Sequence, residues 1–180
     1  MTDERRLPDP SAAIEDLPPG AAVVLRHYDA PASERQALAH RLAATCRRRG
    51  LRLLVAADPE LAISAGAAGV HLPEAMLKSA PQTWRLWRRR GWMVTAAAHS
   101  SGAIRRAAAA DVDAVLLSPV FATRSHPDAR ALGSLRFAAL TRASPVPVYA
   151  LGGIDTRTLR RLSGSGAAGV AGIGGFGKAR

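Results

Sequence analysis

Short apolar runs alternate with longer, polar-faced stretches from Ala21 to the end of the chain. Runs of strand character are Ala22–Leu25, Leu51–Ala56, Gly69–Leu72, Trp92–Ala96, Ala114–Leu117, Val146–Ala150 and Ala168–Ala171. Between them lie stretches that predict helices over Ala32–Arg49, Pro59–Ala65, Pro81–Arg90, Ser101–Ala110, Leu132–Arg142 and Thr156–Leu162. The strand runs are rich in Val, Leu and Ala and lack polar alternation, as expected of a parallel sheet covered on its outer face. Strand followed by helix, repeated along the chain, reads as successive βαβ units, either an open doubly wound sheet or a closed barrel.

Glycine placement favours the barrel. No G-x-G-x-x-G follows the first complete strand, where a dinucleotide fold would carry it. The glycine-rich turns instead follow the last two strands, at Gly152-Gly153 and at Gly172-Ile173-Gly174-Gly175-Phe176-Gly177. Loops after the seventh and eighth strands are the recurrent phosphate site of eight-fold barrels. The expectation is therefore a small (β/α)8 TIM barrel, a single domain over residues 1–180. Its first strand is truncated or missing, with Met1-Thr2-Asp3 as the end of that strand. Ala65-Gly66-Ala67-Ala68-Gly69-Val70 and Ser165-Gly166-Ala167-Ala168-Gly169-Val170 have nearly the same lettering. A glycine past a helix end suits a left-handed cap, and the second glycine suits a tight strand entry.

Composition narrows the function. The chain has 180 residues, 48% hydrophobic but only 4% aromatic, so the core is aliphatic. The formal net charge of +11 raises nucleic acid as a partner. Its distribution argues against one: nearly all the positive charge is arginine, scattered over several helices, and no aromatic interleaving or nucleic-acid module accompanies it. Arg47–Arg49 and Arg88–Arg90 each precede a glycine, which suits cations at helix C-termini. No apolar run reaches the ~18 residues of a membrane span, and the charged start lacks a signal-peptide pattern. The single cysteine, Cys46, excludes a disulfide framework or a cysteine metal cluster. A cytoplasmic protein with no nucleic-acid or membrane partner is expected, and an open barrel edge would be a pairing hazard or a homodimer contact.

The strongest candidate chemistry is a phosphate cradle of exposed amides at Gly152, Gly153, Ile173 and Gly174. The loop Ser118-Pro119-Val120-Phe121-Ala122-Thr123-Arg124-Ser125-His126-Pro127 follows a strand's C-terminal end, where barrel active sites sit. Thr123, Ser125 and Arg124 can orient a phosphate, and His126 can transfer protons near neutral pH. The competing reading is a polar surface loop. Arg26, His27 and Tyr28 end the first complete strand, and His99 follows Ala96-Ala97-Ala98. His71, on an apolar strand, is read as a hydrogen-bonded core residue. Carboxylates near strand ends are few, namely Asp58, Glu74 and Asp155, and no metal-ligand spacing is specific.

These residues resemble the thiamine-phosphate synthase and TenI-type thiazole tautomerase family. The resemblance runs through Gly69-Val70-His71-Leu72, Leu117-Ser118-Pro119-Val120-Phe121-Ala122-Thr123, Ala150-Leu151-Gly152-Gly153-Ile154 and Gly169-Val170-Ala171-Gly172-Ile173, over nearly the whole chain. The wording around Ser118–Pro127 and Val148–Gly153 is most similar to members fused behind Nudix hydrolases, although no Nudix segment lies in these 180 residues. A synthase of this family joins a pyrimidine pyrophosphate to a thiazole phosphate with magnesium help. Several positions depart from that pattern. The second-strand Gln-x-Arg-x-Lys reads Val24-Leu25-Arg26-His27-Tyr28, keeping only the arginine. Asn-Asp-Asp after the third strand reads Ala56-Ala57-Asp58, which puts Ala57 at a metal aspartate, and the second metal aspartate falls on Met76. The serine before the fifth-strand histidine is Ala97, and the loop lysine is His126.

The resemblance thus implies a thiamine-metabolism protein that binds a thiazole phosphate or thiamine phosphate type of ligand. Gly152, Gly153, Ile173 and Gly174 would hold the phosphate with Thr123 and Ser125. Arg26 would be a second anion contact and His126 the catalytic group. It implies no cofactor, because magnesium's usual ligands are absent, and a weak or absent magnesium-dependent condensation. The alternatives are a non-catalytic module that binds a phosphorylated ligand, or a synthase with rewired ligands such as Asp58 and Glu74.

Overall fold

A computed structural model of the chain describes residues 1–79, 83–86, 88–123 and 129–173. The chain divides into two compact units. The first holds Met1–His71 together with residues 83–94 and Ile173; the second holds Leu72 onward through α4 and then residues 95–172. No helix is long and apolar enough to cross a membrane among the described residues.

The first unit opens with a short helix α1 (Ser11–Glu15), then β1 (Ala22–Leu25), α2 (Ala32–Arg49), β2 (Arg52–Ala56), α3 (Pro59–Ser64) and β3 (Gly69–Leu72, whose last residue belongs to the second unit). β1, β2 and β3 pair in parallel and in chain order, with Leu25 beside Val55 and Ala56 beside His71. After their first residues β1 and β2 are buried throughout, and β3 is buried along its whole length. That pattern belongs to a sheet with both faces covered. α2 contributes a stripe of Leu38, Ala39, Leu42, Ala43 and Cys46 to the core, the spacing of one helix face. It stops at Gly50 (φ +66), with Arg47, Arg48 and Arg49 in its last turn. Arg48 and Arg49 there reach Glu15 at 2.6 and 3.4 Å. Val24, Leu54 and Ala56 form a core cluster on which Met1 and Met93 pack. Each fully buried leucine of this kind contributes roughly 1.5–3 kcal/mol. At the N-terminus, the Thr2 amide donates to Val24 O at 2.9 Å, but Met1-Thr2-Asp3 forms no strand beside β1, and Asp3 pairs instead with Leu7 in an isolated antiparallel bridge.

The helix expected over Pro81–Arg90 does not form as one element. Instead α4 (Glu74–Ser79) follows β3 almost at once, stabilised by the Glu74–Lys78 ion pair at 2.9 Å. Thr83–Leu86 is a single 3-10 turn. It buries Trp84, over whose ring the Arg85 and Arg88 guanidinium groups lie at 6.0 and 5.6 Å. Pro81, where the expected helix would begin, lies outside the described residues.

The second unit continues with β4 (Met93–Ala98, whose first two residues belong to the first unit), α5 (Ser101–Ala109), β5 (Ala114–Leu117), α6 (Gly133–Arg142), β6 (Val148–Leu151), α7 (Thr156–Leu159) and β7 (Gly169–Ala171). β4 to β7 are again parallel and sequential, through Ala97–Leu116, Leu116–Tyr149 and Ala150–Val170. Strand–helix alternation with sequential parallel neighbours in both units is the repeating (β/α) pattern of the α/β class.

The repeated lettering has one structural meaning in both places. Gly66 and Gly166 are left-handed, at φ +64 and +82. Gly69 and Gly169, three residues on, are sites of close approach. A Cβ on Gly69 would overlap the Met93 backbone, and one on Gly169 would lie 2.7 Å from Tyr149 Cε1.

Candidate active site

In the first unit, the C-terminal ends of β1 and β2 are tied together by one side chain. Arg35, from the first turns of α2, donates from Nε to Arg26 O at 3.1 Å and from Nη2 to Ala56 O at 2.5 Å. Its Nη1 donates to Asp58 Oδ2 at 3.0 Å. Asp58 Oδ1 accepts the Leu61 amide at 2.9 Å and so caps α3. Both carboxylate oxygens of Asp58 are therefore engaged. The Arg26 guanidinium lies 5.5 Å from the Tyr28 ring centroid. Burial pushes the Tyr28 phenol up, against the pull of Arg26 and Arg35.

Two histidines of this unit, His27 and His71, are buried. His27 donates from Nε2 to Pro8 O at 3.2 Å, which leaves Nδ1 to accept from the Thr2 hydroxyl at 2.8 Å. His71 is fully buried. Burial first, and the Arg26 charge second, hold it down at about 3, so it is neutral near pH 7.

In the second unit, the loop after β5 is seated on the turn after β6. Val120 N donates to Leu151 O at 2.9 Å and Phe121 N to Gly152 O at 3.0 Å. The same loop accepts the start of α6, with Leu132 N on Pro119 O and Gly133 N on Val120 O. Gly152 and Gly153 have φ of +94 and +64. A Cβ on Gly152 would lie 2.9 Å from Pro119 Cα; one on Gly153 would overlap Ala122 O and lie 2.8 Å from Phe121 Cβ. Only glycine meets both demands. Among the described residues, neither glycine amide donates to a protein acceptor. Asp155 caps the short α7 reciprocally with Thr158, and Thr158 Oγ1 also donates to Gly153 O at 3.0 Å.

The start of the same loop meets a histidine. His99, just past β4, has Nδ1 2.8 Å from Ser118 O. Nearby Glu74 receives Lys78 and Arg106 at 2.9 Å each. Burial raises its carboxyl, but the Lys78 hydrogen bond and the Lys78, His99 and Arg106 charges outweigh that and hold it below the usual carboxylate range.

The thiamine monophosphate synthase family model matches residues 10–176. The chain belongs to that family. It is 34% identical over 150 residues to a thiamine-phosphate synthase of Thiobacillus denitrificans, covering 82% of this chain and 69% of the relative. It is 30% identical over 174 residues to one from Koribacter versatilis, covering 91% and 80%. Its fold superposes on a thiamine phosphate pyrophosphorylase from Pyrococcus furiosus with a TM-score of 0.76 and 25% identity, covering 96% of this chain and 82% of that one.

For this member of the thiamine monophosphate synthase family, the sequence-predicted site residues fall as follows. Arg26 lies in the first unit and is held through its carbonyl by Arg35. Thr123, Gly152 and Gly153 lie in the second, where the β5 loop brings the residues before Thr123 onto the glycine turn. Ile173 follows β7. His126, Ser125 and Gly174 lie outside the described residues. Sequence reasoning missed Arg35, which sits in a helix with no motif around it. It gave His99 little weight, although its place at a strand's C-terminal end was a usable signal.

Proposed function

We propose that this chain binds a thiazole phosphate or thiamine phosphate type of ligand through the turn Gly152-Gly153. The observation that carries this reading is the pair of left-handed glycines whose amides have no described protein acceptor, packed where any side chain would collide with the β5 loop. Amides so exposed suit phosphate oxygens. Thr123 and Ser125 would add hydroxyl donors, Ile173 and Gly174 further amides, Arg26 a second anion contact, and His126 a proton-transfer group. The setting is thiamine metabolism in the cytoplasm.

The reaction proceeds without magnesium in this reading. A divalent ion would stabilise the charge of a departing pyrophosphate, but the donor set does not suit one. Ala57 and Met76 stand at the two aspartate positions of the family pattern, Asp58 is bonded at both oxygens, and Glu74 is shared between two cations. Proton transfer or simple retention of a phosphorylated heterocycle then fits better than condensation. These same ion pairs weigh against a synthase rewired onto Asp58 and Glu74.

Calorimetric titration with thiazole phosphate and with thiamine phosphate, each with and without magnesium, tests the reading. Binding indifferent to magnesium is expected. Magnesium-dependent binding with pyrophosphate release would restore the synthase, and no binding of either compound would sink the ligand assignment. Binding without any turnover would leave a sensor or carrier.

A further inference from the structure

Three oxygens meet where β1 and β2 finish. Leu25 pairs with Val55, so Arg26 and Ala56 stand side by side at the two strand ends, and the carbonyl of each faces a donor from α2. The third oxygen is Asp58 Oδ2, two residues beyond Ala56. Between them Ala57 is left-handed, at φ +61, a conformation that a Cβ disfavours. Its amide donates to His71 O at 3.0 Å, and Asp58 Oδ1 accepts the Leu61 amide at 2.9 Å. Strand register, the Ala57 turn and the cap of α3 therefore place the three oxygens through bonds in which Arg35 takes no part.

A carboxylate and two carbonyls are the ligand set of a hard cation. Here the cation is the Arg35 guanidinium, which donates from Nε to Arg26 O, from Nη2 to Ala56 O and from Nη1 to Asp58 Oδ2. The arginine is largely buried, while the carboxylate stays partly open to water. Among the described residues, Arg35 is the one cation in an ion pair with Asp58, whereas Glu74 is held by Lys78 and Arg106 together. A single substitution therefore frees the Asp58 carboxylate, and no single substitution frees Glu74.

We propose that this strand end is a cation site that the chain fills with its own Arg35, and that the guanidinium keeps divalent ions out of it. The inference deepens the magnesium-independent reading above and rests on it for its bearing on function, while the site itself is argued from the three oxygens. A guanidinium stays charged across the physiological pH range. The strand end thus carries a fixed positive charge that ion supply and chelators leave unchanged. Oxygens spread around a planar fork are spaced for a large cation. Calcium takes six to eight oxygens in flexible geometry at about 2.3–2.6 Å, with water completing its shell, whereas magnesium demands a tight octahedron. With the guanidinium gone, calcium is the better divalent occupant.

The test uses the full chain as wild type, as Asp58→Asn, as Arg35→Ala, and as Arg35→Ala combined with Asp58→Asn. Calcium chloride and magnesium chloride are the probes, read by calorimetric affinity and by thermal unfolding. Neither ion should move the wild-type midpoint. Arg35→Ala should bind calcium at least about ten-fold more tightly than the wild type does, and more tightly than it binds magnesium, with a midpoint that rises with calcium concentration. The double variant should lose that gain. Millimolar guanidinium chloride, far below denaturing concentrations, should also raise the midpoint of Arg35→Ala and leave the wild type unmoved. If Arg35→Ala does not fold, Arg35→Met, which keeps the apolar stem, carries the same measurements. Calcium binding by the wild type that Asp58→Asn abolishes overturns the proposal. So does an arginine-free variant that binds calcium no better than the wild type, and so does a gain that survives Asp58→Asn. No phosphorylated compound enters the experiment, so these outcomes leave the ligand reading at Gly152-Gly153 standing, and failure of thiazole phosphate to bind leaves the cation site standing.

Discussion

Arg35 grips Asp58 at 3.0 Å while its other two nitrogens hold the carbonyls of Arg26 and Ala56. A single guanidinium thus gathers the ends of β1 and β2 and the cap of α3. The Arg35 side chain is only 13% exposed, against 36% for Asp58. Replacing Arg35 with Ala strands two carbonyls and a carboxylate in partly buried surroundings. Partial exposure of Asp58 lets water recover some of the loss, so a cost of about 2 kcal/mol is expected. Arg35→Lys should recover less than half of it, because an ammonium cannot match the planar fork. Urea unfolding of the two variants checks both values; equal stability of Arg35→Ala and the wild type would show that the clamp is incidental.

Gly153 can be separated from ordinary turn glycines. Gly164 has a similar left-handed backbone, φ +71, with nothing within 4 Å of a built Cβ. Gly164→Ala should therefore cost only the backbone term, about 1 kcal/mol. Gly153→Ala adds a collision with Ala122 O and Phe121 and should cost at least about 1 kcal/mol more, together with displacement of the β5 loop. Thermal unfolding of the two variants side by side measures the difference. Comparable losses would show that the loop yields without resistance.

Much of this arrangement was legible because local rules and the fold agree. The strands read from Val and Leu runs, and α2 read from a polar-faced stretch ending in three arginines and Gly50. The glycine turn after β6 read from its two letters alone. α4 was missed because six residues show less than two turns of periodicity, while Trp84 and the arginines after it imitated a helix. Arg35 and His99 escaped for another reason. Their partners are brought in by strand order: Asp58 is 23 residues from Arg35, and Ser118 is 19 residues from His99. No local pattern encodes such a meeting.

Cys46 should be chemically silent in the native protein. Its side chain faces the core from α2 and is 1% exposed. Burial pushes its thiol up to about 11, so very little thiolate exists at neutral pH. Alkylation by iodoacetamide at pH 8 should be at least ~100-fold slower in buffer than in denaturing urea. Rapid modification of the folded chain would mean that α2 opens from β2 far more readily than its buried stripe implies.

His71 should make stability depend on pH in a window that the carboxylates do not share. In the unfolded chain its imidazole titrates near the ordinary histidine value of about 6.5, whereas burial and Arg26 hold the folded value at about 3. Above pH 6.5 both states are neutral there, and the contribution to stability is fully present. As pH falls from 6.5 towards 3, the unfolded chain takes up a proton that the folded chain refuses, so stability declines by up to about 1.4 kcal/mol per pH unit. Glu74 and Asp155, whose carboxyls are also held low, lose stability in the same direction but only in the more acidic carboxylate range. The Met1 amine, held down at about 6 by burial and Arg26, acts in the same direction only above that value, so the interval from about pH 6 to about 5 isolates the histidine. Urea midpoints of the wild type should fall steadily across it, and His71→Gln, which cannot protonate, should lower stability at pH 7 but flatten the slope. An unchanged slope in that variant would show that His71 is charged in the fold or that another group sets the acid limb.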